Sequence, residues 1–109
     1  MDEQAMLDAV DRGLIAAEAV EDESGHTTVV CSVKGVGDNP RFAEFEVSEA
    51  RRFVRMMREA NLGDVEYVHM RSHLPGQRDQ NRPYAEEVIP TRVAAVMADV
   101  MDAVLKALG

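Results

Sequence analysis

The sequence predicts an α+β fold in the order α-β-β-α-β-loop-α, with a three-stranded, mainly antiparallel sheet and helices packed on one face. Three observations favour it: apolar residues recur at helical spacing in three segments, β-branched or alternating segments lie between them, and glycine and proline residues separate them. The length of 109 residues fits a single domain that spans residues 1–109.

The first helix is predicted over residues 2–23. Its apolar residues recur every three or four positions, at Met6, Val10, Leu14 and Ala17. Gly13 lowers the stability of a helix by about 1 kcal/mol relative to alanine, so a break at this position stays open. The pair Ser24-Gly25 is the expected end of the helix.

Two strands are predicted next, over residues 27–34 and 41–47. The first is rich in β-branched residues. The second alternates, with Ala43, Phe45 and Val47 on one side and Glu44 and Glu46 on the other. Because turn residues lie between the two segments, we expect an antiparallel hairpin with one solvent-exposed face.

The second half of the chain contributes two helices and one strand. The middle helix is predicted from an N-cap at Ser48 to Asn61. The third strand spans 65–71, and its inward set is either Val65, Tyr67 and His69 or Val68 and Met70. Residues 72–90 are expected to form a long loop, which in compact domains is usually functional or mobile. The last helix begins at Pro90 or Thr91 and has a broad apolar surface.

Cysteine usage and hydropathy indicate the cellular compartment. The single cysteine, Cys31, forbids an intramolecular disulfide framework, and its apolar neighbours predict a buried, unreactive thiol. The acidic N-terminus lacks the basic and apolar regions of a signal peptide, and the apolar runs are too short to span a bilayer. We therefore expect a cytoplasmic protein without membrane contact.

The net charge of −8 comes almost entirely from the N-terminal segment. Residues 1–25 contain eight acidic residues and one arginine, a net charge of −7. The acidic residues Glu18, Glu21, Asp22 and Glu23 lie closest together and predict a surface for a protein partner with a basic surface. The alternative is a solubilising outer face. Because the overall charge repels a polyanion, nucleic-acid binding is unfavourable and non-specific binding is not expected, while a local contact stays open.

Three arginines of the middle helix follow helical spacing, at Arg51, Arg55 and Arg58. One interpretation is a solvent-exposed face paired with carboxylates elsewhere in the fold. The other is an anion site for a phosphate or a nucleic acid, because the arginine guanidinium offers two parallel hydrogen bonds to a phosphate.

The strongest candidate for chemistry lies on the third strand. Tyr67, His69, Arg71 and His73 occupy alternate positions, so they share one face of a strand. This set could bind an anion or a phosphate ligand, or perform acid–base chemistry. A plain polar sheet face is the alternative. A metal site is not expected, because the sequence has no third ligand at a convincing spacing. A cofactor is not expected either, because the sequence has no glycine-rich or paired-cysteine motif.

The sequence therefore favours a small, non-catalytic interaction module, such as an inhibitor or accessory protein of the anti-defence or immunity type. It would present its acidic surface to a basic protein and form a homodimer through the broad C-terminal helix. The alternative is a small enzyme or an anion-binding domain that uses Tyr67, His69, Arg71 and His73. The sequence identifies neither the partner nor the biological process.

Overall fold

The two halves of the chain each contribute a small antiparallel sheet. The computed structural model describes residues 3–35, 40–72 and 85–109. Its elements are α1 (Glu3–Asp11), β1 (Ile15–Glu21), β2 (Thr27–Val33), β3 (Arg41–Glu46), α2 (Val47–Glu59), β4 (Tyr67–Ser72), β5 (Ala85–Pro90) and α3 (Thr91–Leu108). Strands β1, β2 and β3 form one sheet in that order, and β4 pairs with β5 in the other. The predicted α+β class, with a three-stranded antiparallel sheet that carries helices, is confirmed.

The segment predicted as one helix, 2–23, folds instead as helix α1 followed by strand β1. The chain leaves α1 through Gly13, whose φ of +68° lies in the left-handed region that glycine enters without a steric penalty. Gly25, with a φ of +84°, belongs to the turn between β1 and β2 and not to a helix end. The helical prediction was wrong because the alanine-rich residues 15–21 satisfy helical spacing and strand alternation alike. Residues 15–21 form a strand because they pair with the β-branched strand β2.

The central strand β2 is covered on both faces. The side chains that face the core are Val29, Cys31 and Val33. Those on the opposite face are Thr28, Val30 and Ser32, and these are buried as well. On that outer face, Glu18 of β1 and Arg41 of β3 form an ion pair across β2, with 3.6 Å between Oε1 and Nη2.

The second sheet lies partly in the predicted loop. Residues 85–90 form strand β5, and residues 73–84 of that loop lie outside the described residues. In β4 the inward set is Val68 and Met70, which settles the alternative that the sequence left open. Sequence reasoning missed β5 because two glutamates and a proline dominate its short segment.

Helix α2 begins at Val47, one residue earlier than the predicted cap at Ser48. The capping residue is Glu46, whose backbone N–H donates to Oε1 of Glu49 at 3.0 Å. The carboxylate of Glu49 thus satisfies a backbone donor near the helix start.

Helix α3 begins at Thr91, as predicted, and supplies a large share of the core. It packs chiefly against α2 and β1, and its buried residues are Val93, Ala94, Met97, Ala98, Met101 and Leu105. At its start, Thr91 donates its N–H to the carbonyl of Glu66 at 2.9 Å and its hydroxyl to that of Val65 at 2.7 Å. The apolar surface that favoured a homodimer is therefore largely covered within the chain.

Among the described residues, no helix is both long and apolar enough to cross a membrane.

Candidate functional site

Three of the four strand residues singled out in the sequence share the outward face of β4. Tyr67, His69 and Arg71 are exposed, and they alternate with buried neighbours along the strand. His73 lies outside the described residues. The period-two pattern places the imidazole and the guanidinium side by side, at one end of the molecule's smaller sheet.

Glu86 of β5 is the partner of this pair. It lies opposite Arg71 in the register, with 3.2 Å from its Oε1 to Nε of Arg71 and 3.6 Å from its Oε2 to Nε2 of His69. Sequence reasoning missed Glu86 because its segment was assigned to a loop. A carboxylate that contacts both side chains lowers the local positive charge, so the outward face by itself is a weak anion site.

Tyr67 points to a different partner. Its hydroxyl donates to Oε1 of Glu3 at 3.0 Å, and this hydrogen bond is the main cause that raises the pKa of Tyr67. The contact joins β4 to helix α1. Tyr67 therefore does not act together with His69 and Arg71.

A groove lies between helix α2, the inward face of β3 and strand β4, with a volume of about 280 Å³. Its apolar lining consists of Phe45, Phe53, Met56 and Met70, and its polar lining of Glu49, Arg52, His69 and Arg71. The two phenylalanine rings pack against each other with 5.5 Å between their centroids. We call this cavity the α2–β4 groove.

Arg52 is the cation of this groove that has no carboxylate partner within the described ranges. It lies on the same side of α2 as Glu49, Phe53 and Met56, which follow helical i, i+3, i+4 spacing. Sequence reasoning missed Arg52 because it followed the stripe on the neighbouring side of the helix. The combination of arginine with phenylalanine and methionine at that spacing was the available signal.

The predicted arginine stripe is mostly engaged with helix α3 and the C-terminus. Arg58 pairs with Asp99 at 2.8 Å and reaches Asp102 at 3.8 Å. Arg51 donates to the carbonyl of Gly109 at 3.3 Å. Arg55 is exposed and does not line the groove. The three residues form no shared anion site among the described residues.

The acidic residues of the predicted partner surface lie on β1 and the β1–β2 turn, and two of them have structural roles. Oδ1 of Asp22 accepts the backbone N–H of Ser24 and of His26, each at 2.9 Å, and the Ser24 hydroxyl at 2.6 Å. Glu18 forms the ion pair across β2. Glu21 and Glu23 are exposed, so these two carboxylates remain for an external contact.

The described part of the chain contains neither a metal centre nor a reactive thiol. Within it, no three His, Cys, Asp or Glu side chains lie close enough together to hold a metal ion. Cys31 is fully buried, and this burial raises the pKa of its thiol to about 12. Since the thiolate is the reactive form of cysteine, the predicted unreactive thiol agrees with this environment.

No family model, curated protein or solved structure matches this chain. The fold and the groove define a small α+β protein with an amphipathic cleft among its described residues. Its function is therefore argued from the geometry of this cleft and of the surrounding charges.

Proposed function

We propose that this chain is a non-catalytic binding module that holds an anionic ligand with an apolar part in the α2–β4 groove. The observation that carries the proposal is the combination in one cavity of an apolar floor with the guanidinium group of Arg52, which has no carboxylate partner among the described residues. Ligand sites typically join such a floor to a few convergent polar groups.

The apolar floor supports binding through burial. Phe45 and Phe53 are almost fully covered, whereas Met56 is 43% exposed at the mouth of the groove. An apolar group that covers Met56 gains about 25 cal/mol for each Å² of apolar surface removed from water. Since about 280 Å³ is slightly below the usual range of ligand pockets, the ligand or its inserted part is small.

The charges of the rim support an anion. Two carboxylates lie nearby, but each already has a protein partner: Glu49 accepts the N–H of Glu46, and Glu86 contacts His69 and Arg71. An anion at the guanidinium group of Arg52 balances its positive charge.

Thermal melting in the presence of phenyl phosphate tests this proposal. Phenyl phosphate combines a ring for the floor with an anion for the guanidinium group of Arg52, and phenol is its neutral counterpart. At about 100 times its dissociation constant, a ligand stabilises the folded state by about 2.7 kcal/mol. We expect phenyl phosphate to raise Tm and phenol to leave it unchanged.

Two arginine variants provide the matched control. Arg52→Gln should reduce the affinity for phenyl phosphate about ten-fold, the effect of losing roughly 1.4 kcal/mol of charge-assisted hydrogen bonding. Arg55→Gln, on the same helix but outside the groove, should bind like the unaltered protein. Equal weakening by both variants, or no Tm shift with phenyl phosphate, contradicts the proposal.

A second candidate function is capture of a protein with a basic surface through the acidic β1–β2 turn, as the charge distribution suggests. The observation that favours it is the exposure of Glu21 and Glu23, which have no ion pair among the described residues. Such carboxylates steer a basic partner and accelerate its association. The homodimer and the cytoplasmic location also remain predictions, and light scattering tests the first of them.

Charge reversal separates this candidate from the groove. The double variant Glu21→Lys/Glu23→Lys should abolish binding of a lysine-rich probe peptide in fluorescence anisotropy at low salt. Glu59→Lys, an exposed carboxylate at the end of α2, is the control and should leave most of that binding intact. If both variants lose binding equally, the interaction depends on net charge and not on the β1–β2 turn.

A further inference from the structure

We infer that strand β1 is the docking site for an extended basic segment of a partner protein, which adds to the larger sheet as an antiparallel fourth strand. This inference lies outside the α2–β4 groove and rests on the second candidate function, since it specifies how the basic partner binds. The docking site consists of Ala17, Ala19 and Glu21, and we call it the β1 edge.

The hydrogen bonds at the two ends of β1 determine which residues point to this edge. Just after the strand, the N–H of Asp22 donates to the carbonyl of His26 at 2.9 Å. Just before it, the carbonyl of Leu14 accepts the N–H of Lys34 at 2.8 Å. Since every second pair of an antiparallel ladder is hydrogen-bonded, the even-numbered residues of β1 bond to β2. The odd-numbered residues therefore direct their N–H and C=O groups away from β2.

The backbone groups at the β1 edge have no partner in the described part of the chain. There, β1 pairs with β2 alone, and Ala17, Ala19 and Glu21 form no other hydrogen bond. Ala19 and Glu21 are exposed, and Ala17 is half-buried. Such an edge is a template for an added strand, whose backbone supplies affinity while its side chains supply specificity.

Helix α3 provides an apolar surface beside the β1 edge. Helix α2 packs against β3 and β2, and α3 packs against β1, so the side of α3 remote from α2 lies at the β1 edge. Asp99 and Asp102 mark the side of α3 that contacts α2, through an arginine. Val100 and Val104 project from the other side of α3 and are half-buried. Inward side chains of an added strand thus meet an apolar surface.

The charge at the β1 edge favours a basic partner over a second copy of this chain. Glu21 and Glu23 are exposed and have no ion pair among the described residues. Residues 1–25 carry a net charge of −7, so two β1 edges repel each other. A basic segment instead complements these carboxylates and is attracted to them.

The pairing register determines the side-chain pattern of the added segment. Directly opposed residues in a sheet share a face. The residues opposite Ala17 and Ala19 point toward α3 and are apolar, and the residue opposite Glu21 is basic. The two positions between them point to the outer face. They are uncharged, because Glu18 on that face already pairs with Arg41.

The first test uses three seven-residue peptides with blocked termini. The matching peptide is Lys-Ser-Lys-Thr-Val-Thr-Val, with its first lysine next to Glu23. The permuted control, Lys-Ser-Lys-Val-Thr-Val-Thr, moves both valines to the outer face, and the charge control is Glu-Ser-Glu-Thr-Val-Thr-Val. In isothermal calorimetry the permuted control should bind at least about ten-fold more weakly than the matching peptide, and the acidic control should not bind. Equal binding of the first two peptides overturns the inferred register.

Backbone methylation of the peptide tests the strand pairing itself. The N–H of the first valine lies opposite Ala19 and points to β1, whereas the N–H of the next threonine points to solvent. Methylation of the valine nitrogen should abolish binding, and methylation of the threonine nitrogen should leave it unchanged. Two analogues of equal affinity overturn strand addition.

A pair of variants at one position tests the β1 edge from the side of the protein. Ala19→Pro removes an N–H of the edge without removing a hydrogen bond to β2, and Ala19→Val keeps that N–H. Ala19→Pro should weaken binding of the matching peptide at least about ten-fold, and Ala19→Val should bind it like the unaltered protein. Thermal melting verifies that both variants fold. Equal binding by two folded variants contradicts the inference.

Comparison of the peptides separates this inference from the second candidate function. If the matching and permuted peptides bind equally, and both depend on Glu21 and Glu23, strand addition is wrong and electrostatic capture stands. If no basic peptide binds, both are wrong. Neither outcome affects the binding of phenyl phosphate in the α2–β4 groove.

Discussion

The two sheets of this protein use their side chains in opposite ways. Central strand β2 is buried on both faces, and six of its seven residues are buried. Strand β4 buries every second residue and leaves the others exposed. The larger sheet therefore builds the core together with α3, while the smaller sheet supplies accessible groups and borders the groove. Burial and exposure of side chains are thus divided between the two sheets.

Alkaline unfolding gives the largest expected difference between the two sheets, because the buried Cys31 lies in the larger one. Burial raises the pKa of its thiol from 9.0 to about 12, so the folded state keeps a proton that the unfolded state loses in this interval. The contribution of Cys31 to stability is complete below pH 9 and is lost as the pH rises toward 12. The free energy of unfolding should fall by about 1.4 kcal/mol for each pH unit there.

Cys31→Ala isolates that effect from lysine and tyrosine titration. Urea unfolding at several pH values should give a free-energy curve for Cys31→Ala that is flatter than that of the unaltered protein between pH 9 and 12. Parallel curves contradict the burial of the thiol and weaken the distinction between the two sheets.

Matched valine truncations test the distinction next. Val29 of β2 is fully buried and Val88 of β5 is 65% exposed. Val29→Ala should lower the free energy of unfolding by about 2 kcal/mol, from the lost burial of two methyl groups and the cavity that remains. Val88→Ala should change it by less than about 0.5 kcal/mol. Similar losses in urea unfolding would mean that the smaller sheet also belongs to the folding core.

The smallest effect is expected for the ion pairs, which resemble each other in the two sheets. Glu18–Arg41 crosses β2, Arg71–Glu86 joins β4 to β5, and all four side chains are about half exposed. Double-mutant cycles with glutamine should give coupling energies of about 0.2–1 kcal/mol for both pairs. A coupling above about 2 kcal/mol in either sheet would show that charges, and not only apolar burial, distinguish them.

Local patterns predicted the elements whose residue types favour one structure. The β-branched β2, the alternating β3 and the apolar stripes of α2 and α3 were recognised within one or two residues at most ends. Strand β1 was missed because alanine fits both periodicities, so its state depends on pairing with β2, a contact beyond the local sequence. Strand β5 was missed since it is short and carries two glutamates.

The candidate site divides in the same way. Alternation along β4 predicted that Tyr67, His69 and Arg71 share a face, which needs only the strand period. The approach of α2 to β4 depends on tertiary packing, so Arg52 could not be joined to His69 and Arg71 from the sequence. For the same reason the groove itself was not predicted.

The hydrogen bonds of Thr91 have a consequence for changes in chain length. They hold the start of α3 against Val65 and Glu66, the two residues that precede β4. The end of β5 therefore lies next to the beginning of β4. The start of α3 is therefore held by contacts that do not involve the connection between Ser72 and Ala85. Loop-closure entropy rises by only about 0.6 kcal/mol when such a connection doubles in length. Evolution can therefore lengthen or replace this connection while the core stays unaltered.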